Sequence, residues 1–347
     1  MLDRRRALAT GLMATGATAM LPPTMAQGAD GPLPGSQPPA YYRLRVGGIE
    51  AIRVHDGYAV RPLDAGFVRN AELTEIQAAL AAVFQPTDEI IIPFTATVVR
   101  SPQHTVLIDA GLGDFAPPTA GQCRRNLAAA GIEPAEVNVV VISHFHADHI
   151  SGLRWKDGTA AFPNATIMVP EAEWAFWMDD DQMSRAPEGM RAAFENVRRV
   201  FGPIAKEVVR FKDGTEVVPG IRAMAAPGHT PGHTVFLVSD GDNQLLVWSD
   251  TTNKPELFVR HPTWQAVFDM DGEQAVTTRL RLLDMAAAER LRVAGYHFPF
   301  PAAGHIGRSG SGYDYVPVFW HATLELPQRS RSHLPGPANA ARPRTTG

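Results

Sequence analysis

The stretch "SHFHADHISG", residues 143–152, places His144, His146, Asp148 and His149 within six consecutive positions. It closes the apolar run "VNVVVIS", residues 137–143, which has the length and β-branched content of a buried strand. His144 and His146 are two apart, so an extended backbone points both imidazoles the same way, while Asp148 and His149 follow where the chain turns and can face a neighbouring point. Borderline divalent cations accept imidazole nitrogen and carboxylate oxygen at roughly 2.0–2.2 Å, so one loop can offer four ligands to two adjacent ions. The competing reading is a solvated polar loop. Three histidines directly behind a buried strand weigh against it.

Four ligands do not complete two sites; two ions need roughly seven to eight protein ligands, with positions left for substrate and water. The search therefore moves outward to histidines and aspartates at other strand ends. "AAPGHTPGHT", residues 225–234, offers His229 and His233; "LLVWSD", residues 245–250, offers Asp250 directly after an apolar strand; "VAGYHFPFPAAGHIG", residues 293–307, offers His297 and His305. Any one of these alone reads as a core or turn residue. Beside the cluster, they read as the missing ligands.

"HFHADH" at 144–149, "GHTPGH" at 228–233, "SD" at 249–250, "HFPFP" at 297–301 with "GHIG" at 304–307, and "LIDAG" at 107–111 upstream resemble, in this order, the metallo-β-lactamase-fold hydrolases. The likeness runs over about residues 41 to 320. Within that superfamily, "AYYRLRVGGIEAIRVHDG" at 40–57 and "HFPFPAAGHIGR" with "GYDYVPV" near the end most resemble methyl parathion hydrolase and its relatives, which are exported dinuclear enzymes. The resemblance implies an α+β fold, a four-layer αββα sandwich, over residues 41–326. It implies that His144, His146 and His229 hold one ion, that Asp148, His149 and His297 hold the other, and that Asp250 bridges both. Asp109 is implied to brace the cluster loop by hydrogen bonds rather than to ligate. His233 and His305 are read as supporting or turn residues.

Two divalent ions at such a centre bring four positive charges, of which Asp148 and Asp250 cancel two and a bridging hydroxide one more. The remaining positive charge suits attack on an ester, lactone or phosphotriester, where negative charge builds on an oxygen. Asp250 as bridge and Asp148 as an aid to proton movement are the expected catalytic residues. Zinc is the first expectation for the metal, and Mn²⁺, Fe²⁺ or Co²⁺ accept the same ligand set. Trp174, Phe176 and Trp177 on one predicted helix, with Trp264, Phe268 and Phe67, could wall an apolar pocket for a small neutral or apolar ester-type substrate; at helical spacing they also read as core.

Departures from relatives narrow the activity. His146 stands where related di-iron redox proteins carry glutamate. Only 50 residues follow His297, too few for the helical substrate domain of glyoxalase II relatives, and an aspartate bridge is unlike the dinuclear β-lactamases. Acyl-homoserine lactone lactonases are the nearest competitor; many carry tyrosine three residues after the bridging aspartate, where this chain has Asn253. A noncatalytic metal-binding homologue is the remaining alternative, and filled ligand positions argue against it.

The rest of the chain sets the context. A net charge of −4, from 32 basic and 36 acidic residues, leaves no basic surplus for nucleic acid. Arg4-Arg5-Arg6, the small apolar stretch to Leu21 and a small-residue site near Ala26 predict a twin-arginine-like signal over 1–26 and a periplasmic protein free of the membrane after cleavage. Residues 27–40 read as a Pro/Gly linker, and 327–347, basic with no acidic residue, as a disordered tail. The lone Cys123 cannot form an intramolecular disulfide and reads as a half-buried helix residue. The resemblance leaves room for a homodimer.

Overall fold

Alternating residues around Gly47-Gly48 fold as an antiparallel hairpin, β1 (Tyr41–Val46) against β2 (Ile49–Pro62), with Val46 opposite Ile49. The computed structural model describes residues 37–324; the expected signal over 1–26, most of the 27–40 linker and the 327–347 tail lie outside the described residues. After α1 (Leu73–Ala81), β3 (Glu89–Arg100) returns along β2 and pairs with β4 (Thr105–Ile108). Then α2 (Cys123–Ala129) leads to β5 (Val139–Val141), the one-turn α3 (Ala147–Ile150) and β6 (Thr166–Pro170). Next come α4 (Glu171–Trp177), α5 (Asp180–Arg185), α6 (Glu188–Phe201) and β7 (Val209–Phe211). These strands form one seven-stranded sheet in sequential order, antiparallel up to β4 and parallel from β4 to β7.

The second sheet repeats the count with a different order. It holds β8 (Glu216–Val218), β9 (Ile221–Ala225), β10 (Thr234–Asp240), β11 (Asn243–Ser249), β12 (Arg292–Gly295), β13 (Ala303–Ser309) and β14 (Gly312–Pro317), with α7 (Gly272–Ala288) crossing between the parallel pair β11 and β12. The turn residues Asp240-Gly241-Asp242-Asn243 predict a hairpin, and the turn closes β10 on β11, with Asp240 opposite Asn243.

Period two sorts the strand residues into layers. Val99, Val106, Ile108 and Val141 of the first sheet meet Phe236, Val238, Val247 and Ala294 of the second in one buried cluster between the sheets. Val98, Leu107 and Val140 face the other way, onto Leu127 of α2 and Phe194 and Val197 of α6. On the far side, Leu246, Trp248 and Val293 pack on Leu282 and Leu283 of α7. The order helix, sheet, sheet, helix is the expected αββα sandwich. Cys123 is buried at the start of α2. Among the described residues no helix is long and apolar enough to cross a membrane.

Candidate metal centre

The seven residues singled out in the sequence converge at one end of the two sheets. Strand β5 stops at Val141, so the imidazoles of His144 and His146 stand on irregular backbone beyond it, not on the strand itself. His146 keeps an extended backbone (φ −66°, ψ 154°) at the mouth of α3, whose single turn carries Asp148 and His149. His229 sits in the loop after β9, Asp250 directly after β11, and His297 two residues past β12.

Their polar atoms fall into two groups. His144, His146, His229 and Asp250 form the first; Asp148, His149 and His297 form the second; within each, one ligand atom per residue lies within 4.8 Å of all the others. His146 Nδ1 is 3.1 Å from His144 Nε2 and 3.0 Å from His229 Nε2. Asp250 lies between the groups, with Oδ2 3.3 Å from His229 Nε2 and 2.9 Å from His297 Nε2, and Oδ1 3.3 Å from His149 Nε2. Asp148 Oδ2 stands 3.4 Å from both His149 Nε2 and His297 Nε2. Asp148 and His146 are only partly buried and the rest are buried, so the centre is reached from their side.

The outer nitrogens are held by partners that turn lone pairs inward. Ser143 Oγ donates to Asp109 Oδ2 at 2.8 Å and lies 3.0 Å from His144 Nδ1, which leaves that nitrogen as the donor and Nε2 free. His149 Nδ1 meets Asp109 Oδ2, His229 Nδ1 meets Asp269 Oδ1 and His297 Nδ1 meets the Pro93 carbonyl, each at 2.9 Å. His233, outside both groups, is placed as a support: Nδ1 donates to the Ala226 carbonyl at 2.9 Å and Nε2 accepts the Asp250 amide at 3.1 Å. Burial, then the charge at His229, pushes His233 down to about 3, consistent with that neutral tautomer. His305 stands apart, near the Leu291 carbonyl.

The electrostatics fit cations. Burial favours the neutral carboxyl of Asp148, yet His149 and His297 outweigh it and hold the group near 2. Asp250, likewise against burial, is kept well below the usual carboxylate range by His297 and His149. Burial lowers His149 and His229, but facing aspartates raise the first well above its ordinary value and the second to about 9. Protons thus gather where a positive charge is wanted between the carboxylates. His149 Nε2 and Asp250 Oδ1 are buried without a hydrogen-bond partner, which a metal ion would supply. Imidazole and carboxylate donors alone, with no thiolate, form a set that zinc and its divalent neighbours share.

A sequence profile of the Metallo-beta-lactamase superfamily matches residues 95–297, which includes every one of these seven residues. The chain belongs to the metallo-β-lactamase superfamily. Similar curated proteins are an N-acyl homoserine lactonase of Bacillus sp., 26% identical over 165 residues, 47% of this chain and 57% of that one. Another is the N-acyl homoserine lactonase AttM of Azorhizobium caulinodans, 32% identical over 129 residues, 33% of this chain and 41% of that one. The matched part of this chain thus spans about half the length of these relatives. Among solved structures, the dizinc quorum-quenching lactonase AidC superposes with a TM-score of 0.77 at 24% identity, covering 81% of this chain and 98% of that one. The hydrolase AbOPH of the beta lactamase superfamily gives 0.76 at 25% identity, with 82% and 100% covered.

Beyond Asp109 and His233, residue typing along the chain does not find the supports of this centre. Asp269 Oδ2 accepts from Arg279 at 3.0 Å while Oδ1 meets His229, and Arg279 also donates to the Thr251 carbonyl beside Asp250. Ser249 Oγ lies 2.8 Å from Ser143 Oγ, joining the two sheets behind the metal groups. Of the aromatics, Trp177 and Phe67 are core residues, and Trp174 and Phe176 pack half-buried against the same cluster as Trp177. Trp264 and Phe268 pack on the cluster of Phe67 under α1.

Proposed function

We propose that this chain is a dinuclear metal-dependent hydrolase of ester-type bonds, with zinc as its first metal and a small neutral or apolar lactone, aryl ester or phosphotriester as substrate. The observation that carries this reading is the placement of Asp250 between the groups: Oδ2 faces His229 of the first and His297 of the second, and Oδ1 faces His149 of the second. Two divalent ions held there would supply Lewis acidity and a water made acidic to a pKa near ~7. His144, His146 and His229 would hold one ion and Asp148, His149 and His297 the other, with Asp250 shared.

The chain's own groups fix the rest. Asp109, Asp269 and the Pro93 carbonyl hold the ring orientations, so the histidines need no reorganisation when charge develops. Asp148, partly open and kept ionised, stands at the accessible side, where it can take a proton as an ester bond breaks.

Two finer readings divide the substrate. The sequence likeness to methyl parathion hydrolase and its relatives favours phosphotriesters. The lactonase relatives favour acyl-homoserine lactones. Asn253 bears on the choice: Nδ2 donates to Asp250 Oδ2 at 3.3 Å, and no phenol hydroxyl stands at the lactonase tyrosine position, which weighs against lactone-specific positioning by that residue. Export to the periplasm through the 1–26 leader and a homodimer complete the proposal.

The test combines metal analysis with hydrolysis of a lactone, an aryl ester and a phosphotriester before and after chelation. Two ions per chain and chelator-sensitive turnover are expected. D250N should lose at least one ion and most activity, about 10²-fold or more; full turnover with unchanged metal content would refute the bridge.

A further inference from the structure

Glu173, the third residue of α4, is a fully buried carboxylate in neither metal group. Its Oε2 accepts the Phe145 amide at 3.0 Å and Trp177 Nε1 at 2.8 Å; its Oε1 accepts the Gly232 amide at 2.7 Å. Phe145 lies between His144 and His146, and Gly232 lies three residues past His229 and one before His233. One carboxylate therefore grips, by backbone, the two loops that bring three of the four first-group side chains together. The same grip reaches His233, which holds the Asp250 amide.

The fit is close on both loops. A Cβ at Gly232 would stand 2.3 Å from the Glu173 amide nitrogen, so only glycine lets that loop lie against α4. The Phe145 ring stacks on Phe201 at 4.5 Å, which anchors the other loop to α6. Burial raises the Glu173 pKa, and the Thr230 hydroxyl, the Gly232 and Phe145 amides and the Trp177 indole oppose that rise. A methionine would fill the space without burying a charge, but would orphan two backbone amides. Among the described residues the bonds of Glu173 go to Phe145, Trp177 and Gly232 and not to the second group, whose supports are Asp109, the Pro93 carbonyl and Tyr296, which donates to the Asp148 carbonyl at 2.6 Å.

We propose that Glu173 is a positioning residue for the first group alone: it sets the distance between the 144–146 and 229–233 loops and thereby the affinity for one of the two cations. This rests on the dinuclear reading above. It assigns a selective effect to a residue that touches no ligand side chain.

The test is Glu173→Gln, whose amide would turn an N–H toward a backbone N–H. Affinities are read by competition with a chromophoric chelator, and occupancy by Co²⁺ absorption. H297A and H146A, each loaded with one Co²⁺, give the reference spectra of the first and second groups. The expected result is a 10–100-fold weaker first-group affinity, an unchanged second-group affinity, and one equivalent of Co²⁺ giving the H146A spectrum. Unchanged affinities, or equal loss at both groups, would overturn the proposal. W177F removes the indole donor within α4 and trims a ring that also meets Phe194 and His146, so it measures the share of helix packing: its first-group loss should be well below that of E173Q, and an equal loss would assign the effect to helix packing instead.

Should E173Q not fold, hydrogen exchange decides. Zn²⁺ should slow the Phe145 and Gly232 amides in H297A and not in H146A, and the same response in both, or in neither, overturns the proposal. Wild-type protein that takes up fewer than two ions breaks the dinuclear reading beneath it; two ions with an indifferent E173Q break only the clamp.

Discussion

The first sheet supplies four of the seven converging side chains, His144, His146, Asp148 and His149, from the single loop after β5. The second supplies His229, Asp250 and His297 from three separate strand ends. The supports differ in the same way. A contiguous loop can be held by one hub: Asp109, at the end of β4, accepts from the Ser143 amide, the Ser143 hydroxyl and His149 within one buried network. Scattered ligands need a support each, drawn from far along the chain: Asp269 for His229, the His233 ring for the Asp250 amide, the Pro93 carbonyl for His297. One half of the centre should therefore fail as a unit and the other one ligand at a time.

Asp109→Asn gives the largest break in that comparison. Asp109 has a left-handed backbone, φ 63°, a conformation asparagine tolerates well, so the substitution isolates the side chain. It acts on the first group through Ser143 and His144 and on the second through His149. Both ions should bind about 10–100-fold more weakly, and the apo chain should lose about 2–4 kcal/mol, because buried donors lose a charged acceptor. Chelator competition and urea unfolding measure the two; selective loss at one group would erase the distinction between the halves.

Asp269→Asn is the counterpart in the second half and should be milder. Asparagine can still accept from Arg279, but its amide then faces His229 Nδ1 and favours the tautomer with a proton on Nε2, toward the cation. We expect about 10-fold weaker binding at the first group, none at the second, and about 1–2 kcal/mol of stability lost. A deficit at both groups would mean that the second half also has a hub.

The same contrast explains what could be read from the sequence. Three histidines and an aspartate behind an apolar strand are improbable as core, so the loop announced itself, and it directed attention to His229, Asp250 and His297, which carry no signal alone. Strand pairing around Gly47-Gly48 and at 240–243 was legible because period-two alternation and turn residues agree there. The hairpin of β13 and β14 was not, since Gly304, Gly307, Gly310 and Pro317 dilute the pattern. The supports were legible only in part: Asp109 and His233 were expected, and Glu173, Asp269 and Ser249 were not. Glu173 in "PEAEWAFWM" looks like the wet side of a helix, and Asp269 and Ser249 look like loop residues, because a hydrogen bond across 28 or more positions leaves no local period. Trp177, on a predicted helix, and Phe67, in an early loop, were both candidates for the pocket wall, and packing places both in the core.

Asp56 has the smallest expected effect on the metal groups, and its pH-dependent stability tests how deep the first-sheet hub extends. On β2 at the bulge before Gly57, it accepts the Leu112 amide at 2.9 Å and the Cys123 amide at 2.6 Å, and so holds the 109–113 turn behind the histidine loop. Burial raises its pKa from the ordinary 3.8 to about 6, with the negative charge of Asp148 adding and the Leu112 and Cys123 amides opposing. A carboxyl whose pKa is higher in the folded state binds its proton more tightly there. The stability it contributes is full below about 3.8 and is lost as pH rises through about 6. Two pKa units at ~1.4 kcal/mol each bound that loss at about 3 kcal/mol. Asp56→Asn cannot titrate, and its mismatched amide adds a cost that does not vary with pH. In chelated protein the urea stability of wild type should therefore fall relative to D56N between pH 4 and pH 7, and the two should run parallel above pH 7. Parallel curves across the whole range would show Asp56 ionised throughout, and the hub would end at Asp109.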